Sequence, residues 1–176
     1  AAISLPAAPD PAPTYRVLGK THPKVVIEQG ENYRRSLMSL VDALGLKGEV
    51  QIDGRYRESA ELAAEVAAAD LILLPYDSRD QATSGVLVEA VAAGKLVIAT
   101  RFPHSIELLS QGGGALVDHE RPDQIAAAIR DALADPARAL VAQAVARESA
   151  RANSWGAVAE SYQSLASDLA RVSVAW

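Results

Sequence analysis

The sequence of 176 residues contains no cysteine, few aromatic residues and no long hydrophobic run. Without cysteine the chain cannot form disulfides, thiolate metal sites or a cysteine nucleophile, which fits a reducing compartment. No window holds 18 consecutive apolar residues, so no transmembrane helix is predicted. Aromatic residues make up only 5% of the chain, and Leu, Val, Ile and Ala must therefore build the core. The formal net charge of -5 argues against general nucleic-acid binding, which usually requires a basic surface.

Residues 1–14 are rich in Ala and Pro and are predicted to be an irregular lead-in, the remnant of a truncated helix. They lack the basic segment and the long apolar run of a signal peptide. The sequence has no initiator methionine, so we expect it to be part of a longer protein. Its abundant Ala and Arg indicate a GC-rich bacterial source.

Short apolar runs alternate with segments whose apolar residues have helical spacing along residues 15–135. Five strand-helix repeats predict an α/β fold, a Rossmann-like parallel sheet of about five strands with helices on both faces. The predicted strands are Tyr15–Leu18, Val50–Ile52, Leu71–Leu74, Leu96–Ala99 and Ala115–Val117. The predicted helices are Glu31–Leu44, Ser59–Ala68, Ser84–Ala93, Ser105–Ser110 and Pro122–Ala134.

Residues 136–176 are predicted to form a C-terminal helical extension that packs on this domain. Two amphipathic helices are expected, Pro136–Arg151 and Ser154–Ala170. Trp155 and Tyr162 are interpreted as packing anchors of the second helix.

In parallel α/β sheets, ligands bind beyond the carboxyl ends of the strands. The chemistry of this chain is therefore expected in the loops that follow the five strands. These loops are Gly19–Pro23, Asp53–Arg57, Pro75–Thr83, Thr100–His104 and Asp118–Arg121.

The segment PYDSRDQATSGVLVEAVAAGK, residues 75–95, is the most informative of the chain. Ser84 is a predicted helix N-cap, and Gly85 would let a ligand approach the backbone. The free amides at such a helix start favour a phosphate. Glu89 is the one charged residue between Gly85 and Gly94, so we expect a buried helix with a buried carboxylate. That carboxylate either accepts sugar hydroxyls, pairs with a nearby basic residue or reaches water at a helix edge.

The same segment resembles the donor-binding stretch of family 4 glycosyltransferases, or glycosyl transferase group 1, whose GT-B architecture has two facing Rossmann-like domains. An E-x7-E motif opens a helix in the family's C-terminal domain; here its second Glu falls on Glu89 and its first on Gln81. The resemblance extends over GKTHP at 19–23, GENYRRSL at 30–37, AADLILLPY at 68–76, AAGKLVIAT at 92–100 and ELLSQGGGALV at 107–117.

The resemblance implies a role for each residue of the motif. Glu89 would hold the ribose hydroxyls of a nucleotide, and Gln81 would contact the donor sugar. The backbone at Thr83, Ser84 and Gly85 would meet the phosphates or the hexose. Gln81 carries no charge, so it cannot stabilise a cationic transition state as a carboxylate would.

Other loop residues have both a functional and a plain structural interpretation. Arg55 would attract phosphate beside the backbone of Gly54, which meets the base in the family, or it is part of a solvated RYRE run. Arg79 would reach the diphosphate or is a mobile surface residue. Gly19 lines the nucleotide pocket or ends a strand. His104 is interpreted as an exposed loop residue.

The resemblance implies the C-terminal donor-binding domain of a retaining hexosyltransferase that moves a hexose from a UDP- or GDP-sugar to an acceptor. No metal-ligand spacing occurs, so no metal or other cofactor is expected. The family's G-R…K-G motif and its N-terminal acceptor-binding domain are not found, and the isolated fragment is expected to be inactive. We expect a cytoplasmic protein, peripheral to the inner membrane through that N-terminal domain, with no nucleic-acid partner.

Three alternatives compete with this interpretation. A degenerate, non-catalytic nucleotide-sugar-binding or interaction module is favoured by Gln81 and the missing basic motif. A flavodoxin-like receiver domain is disfavoured because Leu18-Gly19-Lys20 supplies no acidic cluster after an early strand. A nucleotide-sugar 2-epimerase shares the GT-B architecture and is disfavoured by the QATSG pattern.

Overall fold

The computed structural model describes residues 13–152 and 154–173, where strands and helices alternate as the apolar pattern predicts. Most of the predicted lead-in, residues 1–12, lies outside the described residues. None of the described helices is both long and apolar enough to cross a membrane. The elements in chain order are β1 (Tyr15–Leu18), α1 (Pro23–Gln29), α2 (Asn32–Ala43), β2 (Val50–Asp53), α3 (Ser59–Ala68), β3 (Leu71–Leu74), α4 (Gly85–Ala92), β4 (Leu96–Thr100), α5 (Pro103–Leu109), β5 (Gly114–Val117), α6 (Pro122–Ala134), α7 (Pro136–Ala152) and α8 (Trp155–Ser173).

The five predicted strands are present and every pairing between them is parallel, which confirms the α/β class. They form two sheets, whereas the sequence pattern predicts one: β1 pairs with β2, and the second sheet has the order β3-β4-β5. The chain divides into two compact units after Leu62. Alternating strands and helices predict parallel pairing but do not determine which strands become neighbours.

The N-terminal unit, which ends at Leu62, contains the two-stranded sheet. Its register pairs Leu18 with Asp53, so β1 and β2 end side by side. Helix α1 is not among the predicted helices. His22 caps it, since the His22 Nδ1 accepts the Lys24 amide at 3.2 Å, and Pro23 occupies the first turn. Pro at the first helical position is therefore the sequence signal that identifies it.

The C-terminal unit, which begins at Ala63, has β4 at its centre, and all five residues of this strand are buried. Only Leu74 of β3 is fully buried, although the apolar run predicts burial on both faces. The register pairs Leu74 with Ala99 and Thr100 with Val117, so the carboxyl ends of the three strands share one edge.

Helices α7 and α8 follow the predicted bounds to within three residues but differ in how they pack. Helix α7 packs on α4, and its Ala146 is fully buried in the core. Helix α8 packs mainly against α7, which leaves Trp155 90% and Tyr162 71% exposed. Their interpretation as packing anchors is wrong for the described part of the chain, because the aromatic face of α8 is not the face that packs.

Candidate functional site

The loops after β3 and β4 start from a rigid frame in the C-terminal unit. The Thr100 hydroxyl donates to the Tyr76 carbonyl at 2.7 Å and so ties the two strand ends together. The Tyr76 ring stacks on Phe102 with centroids 5.3 Å apart, and Phe102 is fully buried. Two of the five predicted ligand loops are thus fixed at their first residues.

Ser84 caps α4 as the sequence predicts. Its backbone is extended, with φ −139° and ψ 108°, and its hydroxyl accepts the Leu87 amide at 3.2 Å. Within the described residues, the amides of Gly85 and Val86 have no protein acceptor. Nothing lies within 4 Å of the position that a Cβ would take at Gly85. The start of α4 therefore offers two free amide donors beside open space.

The Ser84 amide is already used, because it donates to the Nδ1 of His104 at 2.8 Å. Of the predicted backbone donors, Gly85 is thus available to a ligand and Ser84 is not. His104 itself is half-buried on α5, and its interpretation as an exposed loop residue is wrong. Pro103 is the sequence signal that a helix begins at this point, so that His104 lies in its first turn.

Glu89 is exposed, so the expectation of a buried carboxylate is wrong, and the alternative in which it reaches water is the one that the structure shows. Helix α4 buries only Leu87, Ala90 and Val91, while Val86 and Val88 are about 40% exposed. An apolar composition does not determine which face of a helix other elements cover. Glu89 follows Gly85 by four residues, so both lie on the same face of α4.

The polar loop before α4 contains the other two residues of the predicted motif. The side-chain amide of Gln81 donates to the Thr83 carbonyl at 3.1 Å. Gln81 is half-buried and Thr83 is exposed. This contact leaves the Oε1 of Gln81 as a free acceptor for a hydroxyl group, and it fixes the turn that leads into Ser84.

Arg79 lies in the same loop and is 65% exposed. Its guanidinium is 3.9 Å from the carboxylate of Glu120, an exposed residue with a positive φ of 59°. A pair this long and this exposed is weak, so Arg79 can turn to another anion at little cost.

Arg121, just before α6, pairs with Asp123 in the first turn of that helix, and this pair leads to a prediction about stability at acid pH. The side chain of Arg121 lowers the pKa of Asp123 to about 2. Because this lies below the unfolded value near 3.9, the pair stabilises the fold above about pH 4 and the contribution is lost as the pH falls through about 2. Both side chains are exposed, so the effect is small. Thermal melts should show a slight loss for Asp123→Asn at pH 7 that becomes smaller as the pH is lowered to 2, with Asp131→Asn as control. A loss that persists unchanged at pH 2 would contradict this assignment.

The remaining predicted residues lie in the N-terminal unit. Arg55 is paired with Glu61 at 2.6 Å, so it is not free to attract phosphate unless this pair opens. The Arg55 amide and the Arg57 side chain lower the pKa of Asp53. Gly19 has a positive φ of 114° and donates its amide to the Asp53 carbonyl at 3.1 Å, at the end of β1.

The prediction of individual site residues missed Arg34 of α2, which joins the two glycine loops of this unit. Its guanidinium donates to the Gly19 carbonyl at 2.7 Å and to Glu31 at 3.2 Å. A Cβ at Gly54 would lie 2.8 Å from its NH1 atom. The only sequence signal is the position of Arg34 in the GENYRRSL segment, because the contact spans 15 to 20 residues.

A cavity and a metal-ligand cluster are the other kinds of site considered for the described residues, and neither involves the predicted site residues. A cavity lies between α5 and α7, and none of the predicted site residues lines it. Over residues 13–152 and 154–173, no three His, Asp or Glu side chains are grouped as a metal site requires. The candidate site is therefore the edge of the C-terminal unit that is formed by the ends of β3 and β4 and the start of α4.

The family described as "Glycosyl transferases group 1" matches residues 16–135, from β1 to the end of α6. The chain belongs to this family. This group 1 glycosyltransferase domain is 34% identical over 140 residues to the D-inositol 3-phosphate glycosyltransferase of Kineococcus radiotolerans. The match covers 74% of the chain and 32% of that protein, so the chain spans about a third of the length of this curated relative.

Solved structures confirm the GT-B type of fold that the sequence resemblance predicts. The glycosyltransferase domain is similar to the C-terminal domain of the group 1 family protein LpcC from Francisella tularensis, with a TM-score of 0.69 and 21% identity. That match covers 81% of this chain and 70% of the LpcC domain. HepE from Anabaena, solved in complex with UDP, gives a TM-score of 0.74 and 23% identity over 93% of this chain and 42% of HepE.

Proposed function

We propose that this domain binds the nucleotide-sugar donor, a UDP- or GDP-linked hexose, in a retaining hexosyltransferase. The observation that carries the proposal is the start of α4. Two amides lie there beside open space and have no acceptor in the part of the chain that the structure describes, and the carboxylate of Glu89 is exposed on the same face of the helix.

The diphosphate is the part of the donor that this helix start suits best. The free N–H groups of Gly85 and Val86 can donate to phosphate oxygens, and the positive end of the helix dipole favours the charge. Arg79 can add a positive charge, since its pair with Glu120 is long and exposed. HepE, which has a similar fold, has been solved in complex with UDP and with UDP-glucose.

The ribose is the part of the donor that Glu89 suits. A helix rises 1.5 Å per residue, so Glu89 lies about 6 Å further along α4 than Gly85. A carboxylate has two oxygens and can accept from two adjacent hydroxyl groups, such as those of a ribose. Gln81, in the loop before α4, can accept a hydroxyl of the hexose through its free Oε1.

The chemistry expected of such a site is positioning and stabilisation of the leaving group. As the bond between hexose and diphosphate breaks, negative charge grows on the diphosphate, and fixed amides stabilise it without reorganisation. In this proposal the amides and basic side chains take the place of a metal ion. The acceptor would be bound by a second domain, so this domain alone would hold the donor without transferring its sugar.

Calorimetric titration with UDP and with GDP tests the proposal, in buffer with and without EDTA. We expect one of the two nucleotides to bind, with an affinity that EDTA does not change. We also expect UDP-glucose or GDP-mannose, whichever carries the preferred base, to remain intact after prolonged incubation with the chain and simple sugar acceptors. Turnover by the 176-residue chain would overturn the proposed division of labour between two domains.

The alternative is a non-catalytic interaction module that keeps the fold. One contact favours it: the side-chain amide of Gln81 is bound within its own loop. Failure of both nucleotides to bind to a folded chain would support this alternative and reject a donor site.

A further inference from the structure

The hydrogen bond between Ser84 and His104 joins two loops that are 20 residues apart in sequence. The Ser84 amide donates, so the Nδ1 of His104 accepts and the proton of the neutral ring lies on Nε2. Ser84 is only 5% exposed. The contact therefore lies at the inner side of the α4 start, behind the free amides.

His104 is presented to Ser84 by a rigid frame. Phe102 and Ser105, which flank the Pro-His pair, are both fully buried. The Ser105 hydroxyl donates to the Thr100 carbonyl at 2.7 Å and accepts the Phe102 amide at 3.0 Å. Pro103 has a fixed φ and begins α5. Few backbone rotations remain that could move His104 away from Ser84.

We infer that His104 is a positioning residue for the donor site, an inference that rests on the proposed function. By binding the Ser84 amide, His104 holds Ser84 in the extended conformation in which its hydroxyl caps the Leu87 amide. The next two amides, of Gly85 and Val86, then stay fixed and open towards the phosphate. A loop that is ordered before binding does not have to be ordered by the ligand, and this increases affinity.

Three variants separate this role from direct contact with the ligand. His104→Ala removes the acceptor. His104→Asn places an amide oxygen as far along the side chain as Nδ1 and keeps the acceptor. His104→Gln places its amide group further out, where it can replace the Nε2 donor but not Nδ1. The measurements are UDP and GDP titration of the full chain, the melting temperature, and hydrogen exchange at the Ser84 amide by NMR.

We expect His104→Ala to weaken binding of the preferred nucleotide about fivefold to tenfold, the loss of one hydrogen bond. His104→Asn should restore both the affinity and the protection of the Ser84 amide. Wild-type affinity in a folded His104→Ala chain would overturn the inference. If His104→Gln restores the affinity and His104→Asn does not, His104 acts through Nε2, and this result would also overturn the inference. If His104→Ala does not fold, the affinities of His104→Asn and His104→Gln are compared instead, and the same criterion applies.

Failure of the wild-type chain to bind either nucleotide would reject the proposed function. Hydrogen exchange at the Ser84 amide would then still report on its contact with His104.

Discussion

Replacing Glu89 with alanine is expected to weaken nucleotide binding by at least about a hundredfold and to leave the melting temperature unchanged. Each hydrogen bond from a hydroxyl to a charged acceptor contributes about 1.5–3 kcal/mol, and the carboxylate can accept two from a ribose. The exposure of Glu89 makes this experiment clean, because no core contact is lost with the side chain. Alanine is also the best helix former, so α4 itself should remain intact.

The assignment to the ribose can be tested by changing the ligand as well as the protein. Wild type should bind UDP more tightly than 2′-deoxy-UDP, or GDP more tightly than 2′-deoxy-GDP, whichever base is preferred. Glu89→Ala should not distinguish the two, because the partner of the 2′-hydroxyl is gone. If the variant still discriminates between them, Glu89 does not bind the ribose.

Glu160→Ala is the matched control for this series. Glu160 is an exposed glutamate in the middle of α8, and its removal changes the net charge by the same amount. We expect it to bind the nucleotide as wild type does. A similar loss of affinity in both variants would mean that overall charge, and not the position of Glu89, determines binding.

The sequence predicts those parts of this fold that depend on local chemistry. Residues Leu96–Ala99 of β4 form an unbroken apolar run, and the strand is buried along its whole length. Ser84 is a good N-cap next to a glycine, and it caps α4 in the structure. Parallel strands bring their carboxyl ends to one edge, which is why the sequence predicts that the loops after β3 and β4 begin side by side.

The parts that could not be predicted depend on contacts between distant segments. The composition of α4 predicts that Glu89 is buried, but the elements that pack on each face of a helix determine its burial. The contact of His104 with Ser84 and that of Arg34 with Gly19 span 20 and 15 residues, and no local pattern encodes them. The division of five strands into two sheets likewise depends on which strands become neighbours.

Replacing Gly114 with alanine is expected to destabilise the C-terminal unit by about 2–3 kcal/mol, the cost of overpacking a core. A Cβ at this position would clash with the carbonyl oxygen of Val97 and would lie 3.1 Å from a methyl carbon of Leu109. Val97 is the partner of Gly114 in the β4–β5 ladder and is fully buried, so its backbone cannot yield without breaking the register. Thermal unfolding should show a fall of roughly 4–12 °C for a chain of this size.

Gly85→Ala is the matched control, because the same methyl group would meet no atom within 4 Å at that position. Its stability should equal or slightly exceed that of wild type, since alanine favours the first turn of α4. Equal destabilisation by the two variants would show that the strain at Gly114 is not steric.

The pair of variants also distinguishes two roles of glycine in one domain. At Gly114 the missing side chain lets two strands and a helix pack, whereas at Gly85 it leaves room for a ligand, so Gly85→Ala should reduce nucleotide affinity without reducing stability.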